Sequence, residues 1–456
     1  MSKRVLLISY YFYPDVAIGA KRPSQLVKAL IAEGWSVDVI TNRLGAAEEE
    51  CRRGSSDYGE ILSIYHHPGI LNPTWKFLKR LKQRISKSTG VESTQEQKHE
   101  LTEAQSTHAS GLKRWLLWLR SHIFSLQSLF SETKAWAALS LARILLLWST
   151  RRKYDLVIST SPPDSVHFLG LISKKLFNAP LITDLRDPLI MWEEVDPQTV
   201  TKFRQSFEES MEKTYYKNSD HIVVTSPRLE AELLHNHGLK VGSVTTIYNG
   251  FDGKISDAIV PVMPPVKGVF AGNLYFKRNP IPLFEAIKEL KKNNIVNGDV
   301  FRFDFYGDCA IWNGIDLREW LEENGIDDIV SIKGLISPQE VESILGQYHI
   351  LLNFTQFQPR QIPAKTFEYL RFPGRMLLIS EPGSDAANLV KDDELGVVVA
   401  PDRDSICREL KTIIDGCESE LRIDREEMSR RMKYSRELQN RRYVALAERV
   451  AFKESL

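Results

Sequence analysis

A pair of doubly wound α/β domains is the fold this chain predicts, and three observations predict it. At 456 residues it is longer than a single hydrophobic core usually spans. Short continuous apolar runs alternate with polar turns and helix-length amphipathic stretches, as in parallel sheets covered on both faces. That rhythm runs twice, separated by Asn249-Gly-Phe-Asp and the proline-rich Val260-Pro-Val-Met-Pro-Pro-Val-Lys, which reads as a link.

The first series opens with the strand pattern Val5–Ser9, a loop from Tyr10 to Lys21, a helix pattern from Ser24 to Glu33 closed by Gly34, and a strand at Val37–Thr41. Further strands are expected at Leu156–Ser159, Leu181–Asp184 and His221–Thr225. The second series places strands at Gly268–Ala271, Arg302–Tyr306, Val330–Lys333, His349–Asn353, Met376–Ser380 and Val397–Val399. The chain is therefore divided into domains at 1–248 and 249–429, with 430–456 as a last helix packing back across the junction. A ligand is expected in the cleft where the carboxyl edges of the two sheets face each other.

With 43% hydrophobic and 26% charged residues the composition is that of an ordinary globular protein. The net charge of +1 supplies no global field for nucleic acid, and no nucleic-acid-binding module is visible. Cys51, Cys309, Cys407 and Cys417 form no CxxC pair and no Cys/His cluster, so neither a zinc site nor a disulfide framework is indicated, and a reducing cytosol is expected. The opening apolar run is too short for a signal peptide, and Leu139–Trp148 is broken by Arg143, so no membrane-crossing segment is expected.

An insertion at about 45–148 breaks the rhythm. Residues 75–87 and 112–124 are basic and aromatic, with Trp75, Phe77, Trp115 and Trp118 beside Lys76, Lys79, Arg80, Lys113 and Arg114. They suit an anionic membrane surface, or else a helical hairpin packed on the first domain. Between them Ser86 to Ser110 is polar and without period, which reads as a loop.

The most informative stretch is Gln361-Ile-Pro-Ala-Lys-Thr-Phe-Glu-Tyr-Leu370, where a buried-looking strand runs through a polar loop into a helix. Lys365 and Glu368 are three apart and share a face, which brings a cation, an acid and free backbone amides together. That set matches a nucleotide sugar, with its diphosphate and ribose hydroxyls. In Phe270-Ala-Gly-Asn-Leu-Tyr-Phe-Lys-Arg-Asn279, Lys277 and Arg278 lie where a pyrophosphate would be neutralised, or are a solvated pair at a loop tip. Tyr11 to Pro23 holds the single Gly19, not a G-x-G-x-x-G turn, with Arg22 placed for a phosphate, an acceptor or a surface acid. Ser159-Thr-Ser-Pro-Pro-Asp-Ser-Val-His167 and Asp184-Leu-Arg-Asp-Pro follow strands directly. Asp184 and Asp187 could orient an acceptor hydroxyl or take its proton; Asp187 could instead cap a helix, and His167 could be a satisfied core histidine.

In order, YFYP…G, SPP, DLRD, NGFD, AGN and PAKTFEYL resemble the bacterial glycosyltransferases of family 4 over most of the chain outside the insertion. The resemblance implies a GT-B-type fold, with an acceptor-binding domain at 1–248 and a nucleotide-sugar-binding domain at 249–429. It implies transfer of a hexosyl or related sugar from a nucleoside-diphosphate sugar to a glycan or lipid-linked hydroxyl, in envelope, capsular or O-antigen polysaccharide assembly. Retention of configuration, no cofactor and no obligatory metal follow from it, as does a cytoplasmic location at the inner face of the membrane. Catalytic roles fall to Asp184, Asp187, Arg278 and Lys365; binding roles fall to Gly19, Arg22, His167, Gly272, Asn273, Lys277, Arg360 and Glu368. Two positions depart from the pattern: Asn273 stands where relatives carry arginine, and Arg360 where they carry the first of two glutamates. A nucleotide-sugar epimerase and a non-catalytic scaffold subunit are the rival readings.

Overall fold

The structure, a computed structural model, describes residues 3–13, 15, 18–43, 63–68, 132–189, 202–261, 264–275, 277–416 and 420–452. The expected basic aromatic segments at 75–87 and 112–124 lie outside these residues. The chain divides into two compact units, Met1–Ile247 with Asn440–Leu456, and Tyr248–Gln439. Each is a doubly wound parallel sheet.

The first unit carries β1 (Lys3–Ser9), β2 (Trp35–Arg43), β3 (Ser63–Pro68), β4 (Leu156–Thr160), β5 (Leu181–Leu185), β6 (His221–Val224) and β7 (Val244–Thr246). They form one sheet in the order β3-β2-β1-β4-β5-β6-β7, parallel throughout. The strand order reverses between β1 and β4, where chain connections diverge to opposite sides and leave room for a ligand at the carboxyl edge. β1, β4 and β5 are buried along nearly their whole length, which explains their unbroken apolar runs. The edge strands β3 and β7 have no such run, and the sequence pattern does not mark them.

The first helix spans Ile18–Ala32, six residues earlier than its periodicity suggests, and contains Pro23. Proline has no N–H, so the carbonyl of Gly19 four residues back has no intrahelical donor. Arg186 Nη1 donates to it instead. The loop and the end of β5 are thereby joined by a bond that the proline makes available.

The second unit contains β8 (Val260–Pro261), β9 (Val266–Ala271), β10 (Phe301–Tyr306), β11 (Ile311–Trp312), β12 (Ile315–Asp316), β13 (Val330–Gly334), β14 (Ile350–Phe354), β15 (Arg375–Ile379), β16 (Gly396–Val399) and β17 (Glu420–Leu421). Its main sheet runs β13-β10-β9-β14-β15-β16. One face is built on an aromatic cluster of Phe270, Phe284, Phe301, Phe303, Phe305 and Phe354, all fully buried. Their ring centroids lie 5.2 to 6.0 Å apart in tilted and edge-on pairs. Gly268 on β9 makes room for it, since a Cβ there would come within 2.3 Å of the Phe303 ring.

The single helix expected from Arg430 to Phe452 is two, Arg425–Met432 and Arg436–Phe452. Phe251 interrupts them: its N–H donates to Tyr434 O at 3.1 Å and its carbonyl accepts from Arg436 N at 2.8 Å, in a bridge-like pairing with Ser435. From Asn440 onward the second helix belongs with the first unit, where Tyr443, Val444, Leu446 and Ala447 complete the core under β1 and β2. Among the described residues no helix is long and apolar enough to cross a membrane.

Gly268→Ala is expected to destabilise the second unit by about 1–3 kcal/mol, because the rigid phenylalanine cluster cannot yield to an added methyl. Urea denaturation followed by tryptophan fluorescence would measure the lowered midpoint; an unchanged one would show that the cluster has slack.

Candidate active site

In the first unit the carboxyl edge of the sheet is organised by a buried ion pair. Asp184, the fourth residue of β5, receives Arg22 Nη2 at 2.8 Å and Arg22 Nε at 3.2 Å on its two oxygens, and Thr160 Oγ1 at 2.7 Å. Arg22 also donates through Nη1 to Ile247 O at 3.0 Å and lies 5.9 Å from the Tyr443 ring centroid. Both side chains are buried. Burial opposes the Arg22 charge, but the Asp184 carboxylate outweighs it and holds the guanidinium above its ordinary pKa. The acid that pairs with Arg22 is thus Asp184, inside the protein. Asp184 meets its neighbours' donors in the interior, while Asp187 stands half-buried three residues on.

Arg186 fixes the loop around this pair. Its Nε donates to Ser161 O at 2.5 Å, and Thr225 Oγ1 donates to its carbonyl at 2.7 Å. Gly19 lets it approach, since a Cβ there would meet the guanidinium at 3.1 Å. Burial lowers the Arg186 pKa, and Arg22 adds to the effect while Asp184 and Asp187 oppose it.

His167, expected to touch substrate, is corrected to a core residue. It is fully buried on the Ser165–Phe177 helix, with Nδ1 2.9 Å from Ser159 Oγ and its ring 5.8 Å from Tyr215. Burial pushes its pKa down to about 3 against the pull of Asp184. Its inward turn follows from helix spacing: with Val166, Leu169 and Gly170 it forms the buried stripe.

In the second unit two loops at the carboxyl edge are sewn together. Gln356, after β14, exchanges two bonds with the backbone of Asn279, at 2.9 and 3.0 Å. Gln358 Nε2 donates to Tyr275 OH at 2.6 Å, and Arg278 lies 4.5 Å from the centroid of that tyrosine's ring. Arg278 Nη1 donates to Asn273 O at 2.9 Å, while its Nε is buried without a partner. Asn273 Oδ1 accepts from Asp308 N at 3.1 Å, so the amide at this position has become a loop brace.

Beside this brace sits Lys365. The helix that carries it is one short turn, Ala364–Glu368, continued by a 3-10 turn at Tyr369–Arg371, so the expected helix-terminus amides give way to side chains here. Its ammonium is buried, has no hydrogen-bond partner, and lies 4.0 Å from the Phe270 ring centroid. Gly272 is what admits it, because a Cβ there would stand 1.9 Å from Nζ. Burial lowers the Lys365 pKa to about 7, with the Arg278 charge adding to the effect and Cys309 and Glu368 opposing. Cys309 lies nearby; its thiol donates to Gly272 O at 3.0 Å and its pKa is pushed up to about 11 by burial. Glu368, Arg360 and Lys277 are half-buried on the same two loops.

Arg278 and Lys365 are thus brought together, with Gly272 and Asn273 as their support. Sequence reasoning missed Gln356, Gln358, Tyr275 and Cys309. The polar glutamines just past an apolar strand were the available signal, since side chains at that position either brace a loop or meet a ligand.

The glycosyl transferase 4-like domain pattern matches residues 19–250, half of the chain. The chain belongs to the family 4-type glycosyltransferases. HepE of Anabaena, solved with UDP, is similar to this glycosyltransferase over 98% of the chain and 99% of its own, with a TM-score of 0.60 at 11% identity. A glycosyltransferase from Rickettsia africae aligns over 100% of both chains with a TM-score of 0.57 at 13% identity. The lipopolysaccharide outer core galactosyltransferase WaaB covers 98% of this chain and 99% of its own, with a TM-score of 0.55 at 12% identity. These likenesses establish the GT-B fold of the glycosyltransferase. No curated protein sequence matches it.

The buried histidine gives a pH prediction. The unfolded chain binds a proton at His167 below about pH 6.5, which the folded glycosyltransferase refuses until about 3. Stability contributed there is therefore complete above about pH 6.5 and falls as the pH drops through this window, by up to about 1.4 kcal/mol per pH unit. His167→Gln should flatten that part of a urea-midpoint profile between about pH 6.5 and 4. Parallel profiles for the two proteins would return His167 to the surface.

Proposed function

We propose that the second unit binds a nucleoside-diphosphate sugar and that the enzyme transfers its hexosyl or related sugar to a hydroxyl of a glycan or lipid-linked acceptor. The observation that carries this reading is the buried Lys365 ammonium without an acceptor, beside Arg278, whose Nε is likewise unmatched. A buried ammonium beside a half-buried guanidinium with one unmatched N–H is stabilised by an anion, and a diphosphate supplies one. HepE, described as bound to UDP and to UDP and glucose, supports the donor class; WaaB, described as an outer core galactosyltransferase, supports an envelope-glycan acceptor.

In this mechanism Arg278 and Lys365 stabilise the negative charge that grows on the leaving diphosphate, the work metal ions perform elsewhere, and Arg360 and Lys277 add to the field. Gly272 makes room for the Lys365 ammonium, and Asn273 braces the loop that carries Arg278. Glu368 accepts the ribose hydroxyls. At the edge of the first sheet Asp187 orients the acceptor hydroxyl, with Gly19, Arg22 and Asp184 holding the loop that presents it. The family resemblance favours retention of configuration without a metal, with the departing phosphate taking the acceptor's proton. Polysaccharide assembly at the inner membrane face, through the basic segments at 75–87 and 112–124, is the setting we infer.

Incubation with a panel of sugar nucleotides, with and without glycan acceptors, tests the activity. Nucleoside diphosphate released only with acceptor is expected; an isomerised sugar nucleotide would instead identify an epimerase, and binding without turnover a scaffold. Glu368→Ala should weaken diphosphate binding by tenfold or more, about 1.4 kcal/mol, with an unchanged melting temperature. Arg278→Met should lower kcat by about 10²-fold. Calorimetry and steady-state kinetics on the variants check both values.

A further inference from the structure

The resting state of Lys365 is costly. A buried ammonium with no acceptor is relieved either by losing its proton or by gaining an anion. The elements around it present no acid within hydrogen-bonding reach of the ammonium. The loop after β9 presents Arg278, a like charge, and the neutral Asn273. The loop after β10 presents Cys309, held protonated by burial, with Asp308 beside it. Its own turn presents Glu368 and Tyr369; the tyrosine hydroxyl accepts from Ala271 N at 3.2 Å and burial raises its pKa. Neither acid hydrogen-bonds to Nζ. On the apolar side lies the Phe270 ring, 4.0 Å away.

We propose that a neutral-amine form of Lys365 is populated in the ligand-free enzyme and takes up a proton as the donor diphosphate binds, so that donor capture and proton uptake are linked. This rests on the reading that the diphosphate occupies the Arg278–Lys365 site. The step balances simply. The amine lone pair accepts one proton from the buffer, and the ammonium so formed donates N–H bonds to phosphate oxygens. The proton returns to solvent when the diphosphate leaves. The direction agrees with the Lys365 pKa of about 7 in the absence of ligand, since an adjacent dianion restores the charged form. Proton loss from Lys365 before binding relieves its repulsion by the permanently charged Arg278.

Titration calorimetry of the full chain with uridine diphosphate, and with guanosine diphosphate in parallel, tests this in two buffers of different ionisation enthalpy. Uptake should approach about one proton at about pH 8.5 and fall to about half at about pH 7. The terminal phosphate ionises near about pH 6, so at the highest pH it contributes no proton of its own. Lys365→Met should bind more weakly and without uptake, while Cys309→Ala should keep it. Binding by the wild type with no uptake at the highest pH, or uptake persisting in Lys365→Met, would overturn the inference and leave the donor site standing. Absence of diphosphate binding at every pH would overturn the donor site and this inference with it. If Lys365→Met binds too weakly to titrate, the wild-type affinity decides: a loss approaching tenfold per unit above about pH 7 supports the coupling, and a flat profile refutes it.

Discussion

A charge taken out of water must be matched, and this constraint organises the carboxyl edge of both sheets. In the first unit the match is internal: Arg22 and Asp184 pair through two bonds, Thr160 donates to the same carboxylate, and Ile247 O takes a further guanidinium N–H. In the second the match is missing at Lys365. The same physics yields a rivet in one case and, in the reading proposed above, a donor site in the other. The difference lies in whether the fold supplies the counter-charge or leaves it to a ligand.

The rest of the second unit holds Lys365 in this position. Gly272 leaves room for its ammonium, and Gln356 and Gln358 lock the neighbouring loops. Asn273 braces the loop from within, so Arg278 is the cation this loop contributes to the pocket.

The architecture was legible in the sequence wherever strands are buried on both sides. Val5–Ser9, Leu156–Ser159 and Leu181–Asp184 announce themselves through unbroken apolar runs, while β3 and β7 at the sheet edges do not. The helix start at Ile18 was hidden by Pro23, which reads as a stop unless the arginine that serves Gly19 is known. For the candidate site, the sequence places Lys365, Glu368 and Arg278 on the loops past apolar strands where the structure has them. The inward turn of His167 and the pairing of Arg22 with Asp184 were not legible. Both depend on which face of a helix meets which strand, and 162 positions separate the members of that pair.

Pro23 carries a consequence of its own. By withholding one hydrogen it leaves a helix carbonyl open, and a guanidinium from far along the chain answers it. Any other amino acid there would bring a rival N–H, and the arginine would have to compete for its anchorage. An imino acid thus acts as an address label: it marks the spot where two remote stretches of polypeptide are to be tied, and it does so without offering a single bond itself.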